Sequence, residues 1–233
     1  MQSRRAKLIR FLQARLSPEG FLGLYLTLGV LAVVVATWIF IAIAEDVVTG
    51  DPLVVVDARF SNWLHEHAVQ PLTKLMLLVS MVHAPLGITI MTLAVSAWLW
   101  RRRLYYWVLR IMLSVFGGML LNVLLKDIFR RPRPHFANPI VTLTSYGFPS
   151  GHTMMATVFY GSLCAFAVSR TSSWRWRAVE TLIALFMIAV VGFSRIYLGV
   201  HYLSDVLGAI AEGLAWLALV LTSVEILRRR RER

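Results

Sequence analysis

The sequence is poor in cysteine, with one in 233 residues, and poor in charge, with 15% Asp, Glu, Lys and Arg. Cys164 alone excludes an intrachain disulfide framework and a metal site built from thiolates, and its place inside an apolar run marks it as packing. Acids are scarce even among the charges, 12 against 24 bases, which leaves a formal net charge of +12. No low-complexity linker and no repeat at solenoid spacing interrupts the chain. What is abundant is apolar side chain: at 58% it exceeds the roughly 45–50% of soluble domains, an excess that calls for lipid as solvent. The bases sit between apolar runs and at both ends, so they read as determinants of membrane orientation rather than as a nucleic-acid surface.

The apolar runs predict an all-α integral membrane bundle of six transmembrane helices. The first, Phe21–Ala44, carries no charge and is long enough to cross a hydrocarbon core of about 30 Å at about 1.5 Å per residue. Its preceding bases and its Ala42-Ile43-Ala44 end also fit a secretory signal, but a signal's apolar core is only about 7–15 residues, so an uncleaved anchor is expected. The other spans are Leu72–Trp100, Leu104–Leu125, His152–Ser169, Ala178–Ser194 and Val206–Leu227. Arg110 is expected to snorkel to the surface and Glu212 to face the bundle interior. The membrane domain thus fills residues 21–227, between a basic arm at 1–20 and a basic tail at 228–233. Residues 45–70 hold Glu45, Asp46, Asp51, Asp57 and Glu66, with Phe60, Trp63 and Leu64 on one helical face. This segment is expected to be a surface-lying extracytoplasmic connector with no catalytic role.

A cytoplasmic N-terminus puts 17 of the 24 bases on its own side: Arg4, Arg5, Lys7, Arg10 and Arg15, then Arg101, Arg102, Arg103 and Arg110, then Arg170, Arg175 and Arg177, then Arg228 to Arg231 and Arg233. The positive-inside rule therefore expects both termini in the cytoplasm. Of the remaining seven, five fall in two places, Lys126–Arg133 and Arg195. Bases concentrated on the disfavoured face need a reason.

Three short segments on that face hold the polar chemistry. The first runs from Lys126 through Arg130, Arg131 and Arg133 to Pro134, where arginine forks and a lysine point charge suit a phosphate, although a basic interfacial anchor has the same composition. The second, Pro149-Ser150-Gly151-His152, leads into a span, and the free N–H groups of a helix start make an anion site. The third, Ser194-Arg195 to Asp205, sets His201 four residues before Asp205, so the carboxylate takes one imidazole nitrogen and frees the other. Together they predict an anion pocket for phosphoryl transfer: His201 as nucleophile, Asp205 as its partner, His152 as acid and then base, and Lys126, Arg133, Ser150, Gly151 and Arg195 around the phosphate. Two histidines and an aspartate also resemble a metal triad, but the crowd of cations disfavours a divalent ion, and no cofactor is expected.

These segments resemble the signatures of the type 2 phosphatidic acid phosphatase family, Lys-x6-Arg-Pro, Pro-Ser-Gly-His and Ser-Arg-x5-His-x3-Asp. They match here at Lys126 with Arg133-Pro134, at Pro149 to His152, and at Ser194-Arg195 with His201 and Asp205. The resemblance implies a helical core similar to acid phosphatases and vanadium haloperoxidases and a metal-independent phosphohistidine mechanism, with the same eight residues in the roles just given. It also implies a phosphorylated membrane lipid as substrate, of the phosphatidate, phosphatidylglycerophosphate or undecaprenyl diphosphate type, and the plasma membrane of a bacterium as location. Arg130 and Arg131 occupy variable positions of the first signature, and their roles stay open. A lipid phosphotransferase using the same pocket and a non-enzymatic lipid-binding or transport protein are the rival readings. Phosphate release from a phospholipid is expected to persist in a large excess of EDTA; loss that added divalent cation restores would put a metal in the pocket.

Overall fold

A computed structural model describes residues 23–50 and 52–232. The basic arm at 1–20, the first two residues of the first span, Asp51 and Arg233 lie outside the described residues. The regular structure among the described residues is all helix, from α1 (Leu24–Thr49) and α2 (Pro52–Glu66) through α3 (Gln70–Val82) and α4 (Pro85–Arg101) to α5 (Tyr105–Met112). A π-helical turn, Leu113–Gly117, joins α5 to α6 (Gly118–Phe129), and α7 (Gly151–Arg170), α8 (Trp174–Tyr197) and α9 (Leu203–Arg231) follow. α1, the rod Tyr105–Phe129, α7, α8 and α9 are each long and apolar enough to cross a membrane, and α3 with α4 makes a sixth, broken span. The six-helix integral membrane bundle read from the apolar runs is therefore present.

The second span differs from the unbroken helix expected over Leu72–Trp100: α3 and α4 meet at 56°. Pro85, at the first position of α4, has no N–H to give and holds Ala84 in an extended conformation with ψ near 160°, so the helix restarts there. His83 closes the break. Its Nδ1 lies 2.7 Å from the Val79 carbonyl and its Nε2 2.7 Å from the Tyr160 hydroxyl. A carbonyl only accepts, so Nδ1 carries the proton and Nε2 accepts from Tyr160. The π turn is repaired in a similar way, because the Trp216 indole N–H donates to the Leu113 carbonyl at 3.2 Å.

Apolar side chains such as Leu28, Val34, Trp38 and Ile41 on α1 and Leu182 and Phe186 on α8 point outward. Such faces would aggregate in water and are at home in acyl chains. Between helices the buried surface is instead rich in small hydroxyl residues, Thr92, Ser96, Ser114, Thr157 and Ser162 among them, which let backbones approach closely. Gly213 of α9 marks a close approach to α7: a Cβ there would lie 2.8 Å from Cβ of Thr157.

Arg228 to Arg231 of the basic tail continue α9 as helix, where Arg228 and Arg229 hold Glu225. Two further expectations are corrected. Arg110 does not snorkel: it is buried and paired with Glu225 of α9 at 2.5 Å, because α5 and α9 pack side by side at that level. α2 is not a connector lying free on the surface. Phe60 and Leu64 join a core cluster with Ile196, Tyr197 and Leu198, Trp63 faces outward, and Asp57 is fully buried. Glu212 faces the interior as expected, accepting a hydrogen bond from Asn122 at 2.9 Å.

Gly213→Leu is expected to lower unfolding stability by about 1–3 kcal/mol through overpacking against Thr157, read as an earlier thermal transition in detergent. An unchanged transition would mean that α7 and α9 do not meet there.

Candidate active site

α6 ends, α7 begins, α8 ends and α9 begins at one end of the bundle, so the three polar segments converge there. The 130–150 loop closes over them, tied by Gly147 N–H to the Arg131 carbonyl at 2.8 Å and by Ser150 N–H to the Asp205 carbonyl at 3.0 Å.

Asp205 organises the centre. It is fully buried in the first turn of α9, where its Oδ2 accepts the Tyr202 N–H at 2.9 Å and lies 3.2 Å from Nδ1 of His201. Its Oδ1 accepts from Nη1 of Arg131 at 2.6 Å. The other nitrogen of that guanidinium donates to Oδ2 of Asp57 at 2.8 Å, and Asp57 also receives the N–H of Ser204 at 2.9 Å and its hydroxyl. Arg131 is thus a buried fork between two buried carboxylates, with the Tyr202 ring 4.6 Å from its centre. Burial alone would lower its pKa, but Asp205 and Asp57 reverse that, and the guanidinium is held firmly charged.

His201 is buried, and its Nδ1–H donates to Asp205, which leaves Nε2 as an acceptor that takes an N–H of Arg133. Burial pushes the imidazole well below its usual pKa of 6.5, and Arg133, Lys126 and Arg195 push the same way. A neutral imidazole with a fixed tautomer is the nucleophilic form. Nη1 of Arg133 stands 3.0 Å from Nε2 and also donates to the Val200 carbonyl at 2.6 Å. The remaining Arg133 donors go to Ser145 and Tyr146, and Nζ of Lys126 donates to the carbonyls of Tyr146 at 2.8 Å and Gly147 at 3.3 Å. Arg195 is buried, donates to the Ser80 hydroxyl, and keeps an Nε without a partner among the described residues. Its carbonyl receives the N–H groups of Val200 and His201, which fixes the turn carrying the nucleophile.

Ser150 caps α7 from an extended conformation and accepts from the Thr153 hydroxyl at 3.0 Å. Gly151 begins the helix, where a Cβ would come within 3.1 Å of Oδ1 of Asn122 and 3.8 Å of Cε of Lys126, so the lysine passes close over the helix start. His152 follows in the first turn, half-buried and within electrostatic reach of Arg195, His201 and Arg133. All eight residues singled out from the sequence therefore meet. Sequence reasoning missed Asp57, Ser80, Ser145 and Ser204. Only Asp57 left a trace, as one acid among several in a segment set aside as surface, and Arg131 was seen but given no role.

Residues 107–229 match the model of the PAP2 superfamily. The chain is 40% identical over 125 residues to phosphatidylglycerophosphatase B of Bacillus subtilis (strain 168), covering 53% of this chain and 61% of that protein. It is 34% identical over 128 residues to dolichyldiphosphatase 1 of Homo sapiens, covering 49% of this chain and 54% of that one. Among solved structures it superposes on a transmembrane PAP2 type phosphatidylglycerolphosphate phosphatase from Bacillus subtilis with a TM-score of 0.74 at 29% identity, over 81% of this chain and 94% of that one. The aligned parts thus take in less than two thirds of the two curated relatives.

Asp57→Asn removes one of the two carboxylates that compensate a buried guanidinium, and stability is expected to fall by about 3 kcal/mol. Thermal unfolding in detergent reads this, and a wild-type transition would show that Asp57 is not tied to Arg131.

Proposed function

The chain belongs to the PAP2 superfamily, and from that premise we propose that it is a lipid phosphatase that cleaves a phosphomonoester or diphosphate of a membrane lipid through a phosphohistidine. The observation that carries this reading is the geometry at His201: Nδ1 lies 3.2 Å from Oδ2 of Asp205, and Nε2 lies 3.0 Å from Nη1 of Arg133.

Charge supports an anionic substrate. Lys126, Arg131, Arg133 and Arg195 outnumber the acids within their reach, Asp57, Asp205 and Glu212, so the centre keeps a net positive charge suited to a phosphate. Lys126 and Arg133 donate to loop carbonyls, and Arg133 also to Nε2 of His201. A phosphate offers charged acceptors in place of neutral ones, and charge-assisted bonds are roughly twice as strong, so both side chains exchange carbonyls for phosphate oxygens when substrate enters. Arg195 adds its unpartnered donor, and Ser150 with the Gly151 N–H completes the cradle at the start of α7.

The Nε2 lone pair of His201 then forms a bond to phosphorus as the bond to the lipid oxygen breaks, and His152, which takes a proton from water as the phosphate dianion enters beside it, gives that oxygen this proton. Asp205 stabilises the positive charge that develops on the ring. Water, losing a proton to His152, next attacks phosphorus, the N–P bond breaks and phosphate leaves. Asp57 and Arg131 touch no reacting atom in this scheme; they position Asp205. The relatives named as a phosphatidylglycerophosphatase and a dolichyldiphosphatase favour a glycerophospholipid phosphomonoester or a polyprenyl diphosphate as substrate. The excess of bases on the opposite loops favours a site on the extracytoplasmic face with both termini inside.

His201→Ala is expected to abolish phosphate release from phosphatidylglycerophosphate and undecaprenyl diphosphate while leaving lipid binding largely intact, and wild-type enzyme quenched in alkaline SDS should carry an alkali-stable, acid-labile phosphoryl group that the variant lacks. Unchanged turnover in the variant would sink the mechanism. The lowered pKa of His201 adds a pH signature: protonation destroys the nucleophile, so activity is lost as pH falls through that lowered value. The nucleophile of the free enzyme is accordingly expected to impose no acid limb on kcat/KM at or above pH 6.5.

A further inference from the structure

The bundle end opposite the candidate active site holds a cavity of about 920 Å³ between the starts of α1 and α5 and the ends of α7 and α9. Arg103, Arg110, Arg170, Arg228 and Arg229 line it, against one acid, Glu225. That carboxylate is already saturated: it accepts from Arg110 at 2.5 Å and from Arg228 and Arg229 at 2.8 Å each. Among the described residues neither Arg103 nor Arg170 has an ion pair. Arg110 is only 6% exposed, stacks 4.4 Å above Trp107, and has a buried Nε with no partner among the described residues. Five guanidinium groups around one carboxylate, one of them inside the protein with an idle donor, form a built site lacking its counter-charge.

The rest of the lining says which anion fits. Tyr25, Tyr105 and Trp107 are aromatics of the kind that sit at headgroup level, and Leu104, Val168 and Leu221 give the cavity an apolar wall. It lies where spans begin and end, the depth of lipid phosphates, and planar guanidinium forks match phosphate oxygens two at a time. We propose that this cavity binds the phosphate headgroup of an anionic phospholipid from the leaflet at that end of the bundle, with Arg103 and Arg170 at its exposed rim and Arg110 at its floor. The apolar wall takes the glycerol and the first acyl carbons. This site shares no residue with the proposed catalytic centre and does not depend on the reaction assigned there.

Native mass spectrometry of the full chain purified in detergent, with phosphatidylserine or phosphatidylcholine added, tests the proposal; phosphatidylserine carries a diester and no phosphomonoester for the far site to cleave. Wild type is expected to retain phosphatidylserine in preference to phosphatidylcholine, and millimolar inorganic phosphate is expected not to displace it. Arg103→Gln with Arg170→Gln removes two exposed rim charges, leaves the buried Arg110–Glu225 pair intact, and should weaken phosphatidylserine retention roughly 30-fold at unchanged phosphate release. Arg101→Gln with Arg175→Gln removes the same charge from outside the cavity and should leave retention near wild type. Equal retention of the two lipids, an equal loss in both double variants, or displacement by inorganic phosphate would each overturn the proposal.

Discussion

The Asp205 carboxylate is the point on which the active end of the molecule depends. One of its oxygens holds His201 and the turn before α9, the other holds Arg131, and through Arg131 it reaches Asp57 on α2. Taking such charges out of water costs several kcal/mol for each ion, and only close, saturated pairing offsets it. The pairing here is nearly complete, because Ser204 gives Asp57 both its N–H and its hydroxyl and the Tyr202 N–H meets Asp205. One consequence is mechanical. α2, the 130–150 loop and α9 share one buried network, so the orientation of the imidazole is set by elements far apart in the chain.

Positive charge does separate work at the two ends of the bundle. Around His201 the cations outnumber the acids, and the uncommitted donors rest on carbonyls or on nothing at all. At the other end five arginines meet one glutamate. Around His201 the excess lies in the interior, and at the other end it runs from the buried Arg110 out to the exposed Arg103 and Arg170. Between them the protein is apolar outside and lined with small hydroxyl residues inside, and its two irregularities, the break at His83 and the π turn before Gly118, have their freed groups met by side chains of α7 and α9.

Six spans, the convergence of three polar segments on one face and the chemical types of eight site residues were legible in the chain, because each rests on local pattern: an apolar run of fixed length, the alternation of bases, and a histidine four residues before an aspartate. The break in the second span was partly legible too, since Pro85 marks it, but an apolar window of that length hides a restart. Asp57 illustrates what was not legible. It lies 147 residues before Ser204 and 74 before Arg131, in a segment whose acids all look alike until folding buries one of them. Arg130 and Arg131 are likewise adjacent and identical in type, yet the first turns back to the Asp127 carbonyl and the second enters the core.

By itself, then, the sequence determined that this is a membrane-spanning helical protein with a cation-rich, histidine-bearing end, because lipid imposes span length and charge placement on every such chain regardless of its partners. Tertiary structure decided which of many similar charges are buried together: that Arg131 rather than Arg130 braces Asp205, that Asp57 belongs to that brace, and that Arg110 pairs with Glu225 instead of reaching the surface. The reason is physical. A charge's worth depends on its distance from other charges and from water, and neither distance is written in residue spacing once the chain has crossed the membrane and returned.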